Sequence, residues 1–261
     1  MKTRHIIRSL SLFALLLVGV SLSSAYASNS SGTAVPPTVT LRRTPTPVPT
    51  NPSLRNNRFL NDKSLISGKP CSPPCWHGIT PGKTAWEDAV KLLLKDAGLE
   101  PPFIQVGQNG VSILATWKGK GGEPCCQMVT EDGKTVTFIL LQFDPTMTTG
   151  ELIQAHGEPT YVVGTPGDET QAIINLFYPD DGLIAIAFVR GAKSGELSES
   201  SEIIGAWYLT EERMDLILKT SMLYGWKGYG PYSIYRPDAP VEQFDVTPSV
   251  TLTPTLAPSH P

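Results

Sequence analysis

Trp86, Ala89, Val90, Leu93 and Ala97 recur at the spacing of one helical face, with Glu87, Asp88, Lys91 and Lys95 largely opposite. That stripe predicts a helix packed against a core. Four short strand-like runs follow it, at residues 103–106, 111–117, 125–130 and 135–143, with Asp132-Gly133 as a tight antiparallel turn between the last two. The same order then recurs. A shorter helix carrying Leu152, Ile153 and His156 precedes strand-like runs at 161–163, 172–178, 183–190 and 203–209, with Asp180-Asp181-Gly182 as the middle turn. A last helix is predicted from Thr210, with Met214, Ile217 and Leu218 on one face.

The two helix starts share a local signature. Thr84-Ala85-Trp86-Glu87 and Thr148-Thr149-Gly150-Glu151 each place a Thr three residues before a Glu, roughly sixty residues apart, as in a capping box written twice. In each, the Thr hydroxyl is expected to cap the helix and the Glu to reach back to the Thr amide, the Thr oxygen contributing about 1 kcal/mol. Glycine and then proline stop both helices, at Gly98 and Pro101 and at Gly157 and Pro159. The fold class read from this is α+β: two tandem repeats, each a helix plus a four-stranded antiparallel sheet, at residues 66–144 and 145–236.

The ends read differently. Lys2, Arg4 and Arg8 precede the apolar run Leu10 to Leu22, and Ala25-Tyr26-Ala27 supplies the small residues of a cleavage site, so residues 1–27 read as a secretory signal. The run is short for a membrane span, and no stable span is expected after cleavage. Residues 28–65 and the tail 237–261 are dominated by Ser, Thr and Pro, as in Thr44-Pro45-Thr46-Pro47, and are expected to remain disordered. No Cys lies near the cleavage site, so lipid attachment is not expected there. Loss of residues 1–27 removes three basic residues and no acid, taking the formal charge from −3 to −6. A nucleic-acid partner is disfavoured by that charge and by the lack of a Lys/Arg cluster.

A helix with four antiparallel strands, doubled in tandem, resembles the beta-lactamase inhibitor protein fold and the outer-membrane assembly lipoproteins of the SmpA/OmlA type. The match lies in Ala155-His156-Gly157-Glu158-Pro159 running into a strand and, more loosely, in Ile79-Thr80-Pro81-Gly82. The resemblance spans about Trp76 to Thr210. It implies binding or envelope assembly before catalysis.

Cys71, Cys75, Cys125 and Cys126 are an even set in a chain expected to be exported, so disulfides are predicted. Three pairings are possible. Two bridges joining the Cys71/Cys75 loop to Cys125/Cys126 are favoured, each contributing about 3–4 kcal/mol, because the local alternative demands a vicinal bridge. A four-thiolate metal site with His77 nearby fits poorly, since adjacent cysteines hardly turn to one tetrahedral centre. Gly78-Ile79-Thr80-Pro81-Gly82-Lys83-Thr84 is one residue short of a phosphate loop and reads as a turn. No cofactor loop, nucleophile motif or metal-binding helix accompanies His77 and His156 in the central region.

The segment Tyr224 to Tyr235 alternates aromatic rings with Gly, Lys, Pro and Ser, and Trp226, Tyr229, Tyr232 and Tyr235 are its candidate binding residues. The plain alternative is a cap whose rings pack over the second sheet. Trp76, Trp86, Trp117 and Trp207 read as core or sheet-face residues. Together these features predict a secreted or cell-surface, non-catalytic module that binds a protein or glycan through a concave sheet face and the aromatic segment. An envelope structural factor is the first alternative, and an enzyme with an unrecognised site the second.

Overall fold

The computed structural model describes residues 53–168, 170–191 and 193–235. The predicted signal at 1–27 and tail at 237–261 lie outside them. Helices α1 (Ser64–Ser67) and α2 (Trp86–Lys95) precede strands β1 (Phe103–Val106), β2 (Ile113–Trp117), β3 (Cys126–Thr130) and β4 (Phe138–Thr148). Helix α3 (Thr149–His156) then leads into β5 (Tyr161–Pro166), β6 (Ala172–Tyr178), β7 (Leu183–Val189), the short β8 (Glu196–Leu197) and β9 (Glu202–Leu209). Helix α4 (Glu211–Thr220) and the two-residue strands β10 (Tyr224–Gly225) and β11 (Gly230–Pro231) close the described chain.

Nine strands form one antiparallel sheet in the order β1-β2-β3-β4-β9-β7-β6-β5-β10. Two meanders therefore meet at their last long strands, β4 and β9, whose register runs from Phe138 opposite Leu209 to Thr148 opposite Glu202. Between Gln142 and Met147 the β4 register breaks. Pro145, which has no N–H to give a ladder, falls in that break. The gap is partly filled by Leu60, whose amide donates to the Gln142 carbonyl at 3.2 Å and whose carbonyl accepts from the Asp144 amide at 3.1 Å.

Strand alternation sorts the sheet into two faces. Ala115, Met128, Ile139, Leu141, Ala206, Ala185, Ile174 and Val162 point to an inner face and are all fully buried. Trp86, Ala89 and Leu93 of α2 join that core, as the helical stripe predicts, together with Leu65 of α1 and Leu152 of α3. Each such Leu or Ile contributes about 1.5–3 kcal/mol by leaving water. Helix α4 lies apart from this core. Its Met214, Ile217 and Leu218 pack with Phe177, Ile184 and Leu209 in a second, smaller cluster.

Three expectations are corrected. The linker predicted over 28–65 runs too far: from Ser53 onward the chain is built into the body, with Leu60 and Leu65 buried and the Leu54 amide bonded to Gln171 Oε1 at 2.7 Å. The Ser/Thr/Pro composition ends at Pro52, before these apolar residues, and they have a core to enter. The first capping box does not form. Ala85 occupies the cap position of α2 with no side-chain bond, and the Thr84 hydroxyl instead accepts from the Thr80 amide at 2.8 Å, closing the turn before the helix. The Thr84 amide, which Glu87 would have bonded in the box, goes to the Thr80 carbonyl at 2.9 Å, and the Trp86 amide goes to the Lys134 carbonyl at 2.7 Å.

The cysteines are the third correction. Cys71 pairs with Cys75 and Cys125 with Cys126, leaving no free thiol and no bridge between the two regions. Cys125 stands just before β3, with its carbonyl accepting from the Gln142 amide at 3.0 Å, so strict strand alternation does not govern the pair. Trp76 and Trp117, stacked at 5.6 Å, span the space where the cross-links were expected. Rings, not sulfur, join the Cys71 loop to the sheet.

At α3 and α4 the caps form as predicted. Thr148 Oγ1 accepts from the Glu151 amide at 3.3 Å while Glu151 Oε2 accepts from the Thr148 amide at 2.8 Å, and Thr210 Oγ1 accepts from the Arg213 amide. Thr148→Ala should therefore lower unfolding stability by about 1 kcal/mol in urea titration of the oxidised protein. Thr84→Ala should not mimic it through lost helix capping, so a loss of α2 helicity in Thr84→Ala matching that of α3 in Thr148→Ala would contradict this assignment.

Candidate binding surface

The outer face of the sheet carries half-buried apolar side chains, Trp207, Ile186 and Ile173, beside the buried Phe177, Ile184 and Phe188. Trp207 on β9, Ile184 on β7 and Phe177 on β6 stand side by side in one row. The next row reads Gln142, Gly205, Ile186, Asn175 and Val163. Gly205 is required by close packing: a Cβ there would lie 2.8 Å from the Leu141 carbonyl and 3.2 Å from Ile186 Cδ1. Its lack of a side chain lets the Ile186 side chain lie over it. The third row contains Phe188, Ile173 and Thr165.

Two elements border this surface. Helix α4 covers the Trp207 row through Ile217, and Arg213 lies 5.9 Å from the centroid of Phe138, which stacks on Trp207. At the far row, Arg55 sits 5.4 Å over the Phe188 ring and forms an ion pair with Glu202. Between them is an open groove of about 260 Å³, lined by Thr165, Ile173, Asn175, Phe177, Ile184, Ile186, Trp207 and Ile217. Asn175 is its polar centre, donating through Nδ2 to the Val163 carbonyl at 3.3 Å and Thr165 Oγ1 at 3.2 Å. Those two bonds tie its side chain to β5.

The aromatic segment does not line this groove. Tyr232 and Tyr235 are fully buried in the inner core, with Tyr232 packed so closely on Gly164 that a Cβ there would meet its ring at 2.7 Å. Tyr235 donates its hydroxyl to the Gly228 carbonyl at 2.7 Å and accepts from the Lys227 amide at 2.8 Å, while its ring stacks on Trp226 at 6.0 Å. These two tyrosines are thus structural, contrary to the binding role expected of them. Their neighbours are glycines that let the chain fold back, which brings the rings inward. Trp226 is half-buried against the same core, and Tyr229 is 36% exposed, edge-on to Trp226 at 5.7 Å. Strand β10 sews the segment to β5, and β11 pairs with β8.

The structure also assembles an acid–histidine cluster from residues far apart in sequence. His77, on a positive φ of 48°, places Nδ1 2.9 Å from Asp96 Oδ2 and Nε2 3.3 Å from Asp62 Oδ2. Asp62 Oδ2 also accepts from the Trp76 indole at 2.6 Å and from Ser64 Oγ at 3.1 Å, and Oδ1 from the Ser64 amide at 2.7 Å. Burial opposes the charge on Asp62, yet the bonds from His77, Trp76 and Ser64 outweigh it and hold the carboxyl below its ordinary range. The bond to Asp62 raises the His77 pKa against the opposing effect of burial, with Asp96 adding to the rise.

Both ring nitrogens of His77 are occupied, and Ser64 bonds the acid instead of the histidine. That wiring suits a clasp and gives no activated nucleophile. It pins the Cys71–Cys75 loop to the start of α1 and the end of α2. His156 plays a similar part. Its Nε2 donates to the Leu65 carbonyl at 2.7 Å and its Nδ1 lies 3.3 Å from Asp181 Oδ2, tying α3 to α1 and to the β6–β7 turn. Asp62 and Asp96 carried no local signal in the sequence, because each contacts His77 only through the tertiary fold.

Among the described residues no group of three His, Cys, Asp or Glu is arranged to hold a metal ion, and no helix is long and apolar enough to cross a membrane. The chain matches no family model, no curated protein and no solved structure.

The clasp sets a pH dependence. His77 has a folded pKa above the ordinary 6.5, so its stabilising contribution is complete below that value while Asp62 stays ionised, and is lost as pH rises through the folded pKa. Wild type should exceed His77→Gln in stability by more at about pH 5.5 than at about pH 8.5 in paired urea titrations. A difference that stays constant or grows with pH would show that His77 is not held charged between the two acids.

Proposed function

We propose that the chain is an exported, non-catalytic binding module whose outer sheet face receives an apolar side chain of a protein partner. The groove between α4 and the Arg55–Phe188 contact carries this reading. Its walls are mainly Ile, Phe and Trp, with Thr165 and Asn175 bonded to each other at one side, a lining that favours desolvating an apolar group. At about 260 Å³ it is smaller than the usual small-molecule pocket, of about 300–1,000 Å³, and suits one large side chain at the centre of a wider contact. A glycan partner is less well supported, since two of the four candidate stacking rings, Tyr232 and Tyr235, are buried.

Export is supported by the leader-like residues 1–27 and by the pairing of all four thiols. The two meanders are read as repeats of one unit, of the tandem kind that the resemblance implies. Each follows a helix, and each contributes its last long strand to the β4–β9 junction. Superposition of β1–β4 on β5, β6, β7 and β9 along with the preceding helices is the direct test, and divergent paths would refute common ancestry of the halves.

Binding at the groove is tested by retention of envelope and secreted proteins on the immobilised full chain. Ile186→Lys places a charge among the groove's apolar walls at a half-buried position and should abolish specific retention, while Trp226→Ala should leave it in place. Retention unaffected by Ile186→Lys, in protein whose circular dichroism matches wild type, would remove the groove from consideration.

A further inference from the structure

The two edges of the nine-stranded sheet are unlike. One ends in β10, two residues long and continuous with the aromatic segment; the other ends in β1, where all four residues are exposed. Phe103 and Val106 are each 65% exposed and Ile104 43%, so apolar side chains stand on both sides of an open edge. Phe-Ile-Gln-Val is short, but it carries no charge, no proline and no bulge to block the edge.

The hydrogen-bond phase of β1 shows which backbone groups are free. Phe103 to Val106 lie opposite Thr116 to Ile113, and in the same register the Gly107 amide donates to the Ser112 carbonyl at 2.7 Å. Antiparallel ladders alternate, so Gly107, Gln105 and Phe103 turn their amide and carbonyl groups toward β2. Ile104 and Val106 turn theirs outward. Pro102, the next residue in the outward phase, has no N–H, and pairing cannot extend through it.

We infer that β1 pairs antiparallel with β1 of a second copy of this chain, around a twofold axis passing beside Gln105 and normal to the sheet. This register is selected by the strand itself. Centring on Gln105 sets Ile104 opposite Val106 of the second copy, and Val106 opposite Ile104, giving four main-chain hydrogen bonds. Centring on Ile104 would instead set Val106 against Pro102, whose missing N–H leaves the Val106 carbonyl unpaired. The Gln105 register keeps outer face with outer face, and it lays Phe103 over Gly107 of the second copy, where no side chain obstructs the ring. A second copy satisfies the edge with the same short strand on both sides, as a closed twofold contact requires. The contact is small, so the dimer is weak and forms at micromolar or higher concentration.

The inference is tested on the full oxidised chain by sedimentation equilibrium up to about 200 µM and by symmetric cross-linking. Wild type should show a monomer–dimer equilibrium. Val106→Pro removes two of the four outward donors per dimer while sparing the ladder to β2, and should raise the dimer Kd about tenfold or more. Gln105→Cys should form an intermolecular disulfide, because the two positions face one another as a non-hydrogen-bonded pair with Cα atoms about 4.5 Å apart. Phe103→Cys, opposite Gly107, should not. Should Val106→Pro lose the wild-type near-ultraviolet circular dichroism, Ile104→Lys replaces it, with the same expected loss of dimer. A chain that stays monomeric throughout the range, a dimer indifferent to these substitutions, or cross-linking at 103 equal to that at 105 would overturn the pairing. So would an edge that binds only an unrelated extended peptide.

Discussion

Pairing of β4 with β9 is the contact on which the other features rest. It turns two meanders into one sheet, and only a continuous sheet offers an inner face broad enough to receive α1, α2 and α3 together. The same junction creates the outer face. Phe138 and Leu140 of β4 stand beside Leu209 and Trp207 of β9, and Gly205 makes room for the Ile186 side chain. Even the irregular stretch of β4 serves the assembly, since Leu60 docks there and draws the preceding chain across the body.

Polar clasps hold the periphery to that sheet. Asp62 gathers His77, Trp76 and Ser64, and His156 joins α1 to the β6–β7 turn, so the short α1 is held from two sides. Tyr235 closes the C-terminal segment in the same manner, with one hydroxyl donating and accepting within its own loop. These groups are the sort that catalytic sites use, yet their hydrogen-bonding capacity is spent on neighbours. Apolar side chains stay half-buried on the outer face and exposed along β1.

Much of the body was legible in advance. The α2 stripe, the boundaries of β1 and β6 and the turn at Gly182 follow from local periodicity and turn chemistry, which act within a few residues. The caps at Thr148 and Thr210 are similarly local. Thr84 shows where that reasoning ends: it has the signature of a capping threonine, but Thr80 takes both its hydroxyl and its amide in the preceding turn. The groove was visible only in fragments. Trp207 read as core or sheet-face, while the importance of Gly205 depends on Leu141 and Ile186, each reached through a different strand.

The sequence by itself determined the alternation of helix and strand, the even cysteine set and the Ser/Thr/Pro composition that sets the N-terminal stretch apart from the body, though not where that stretch ends, because these depend on side-chain chemistry and short-range geometry. Tertiary structure decided which cysteines meet, which tyrosines are buried, which carboxylates flank His77 and which sheet edge stays open. Those outcomes depend on the order in which distant strands pair, and β4 finds β9 through the summed burial of two faces, a quantity no single stretch of chain contains.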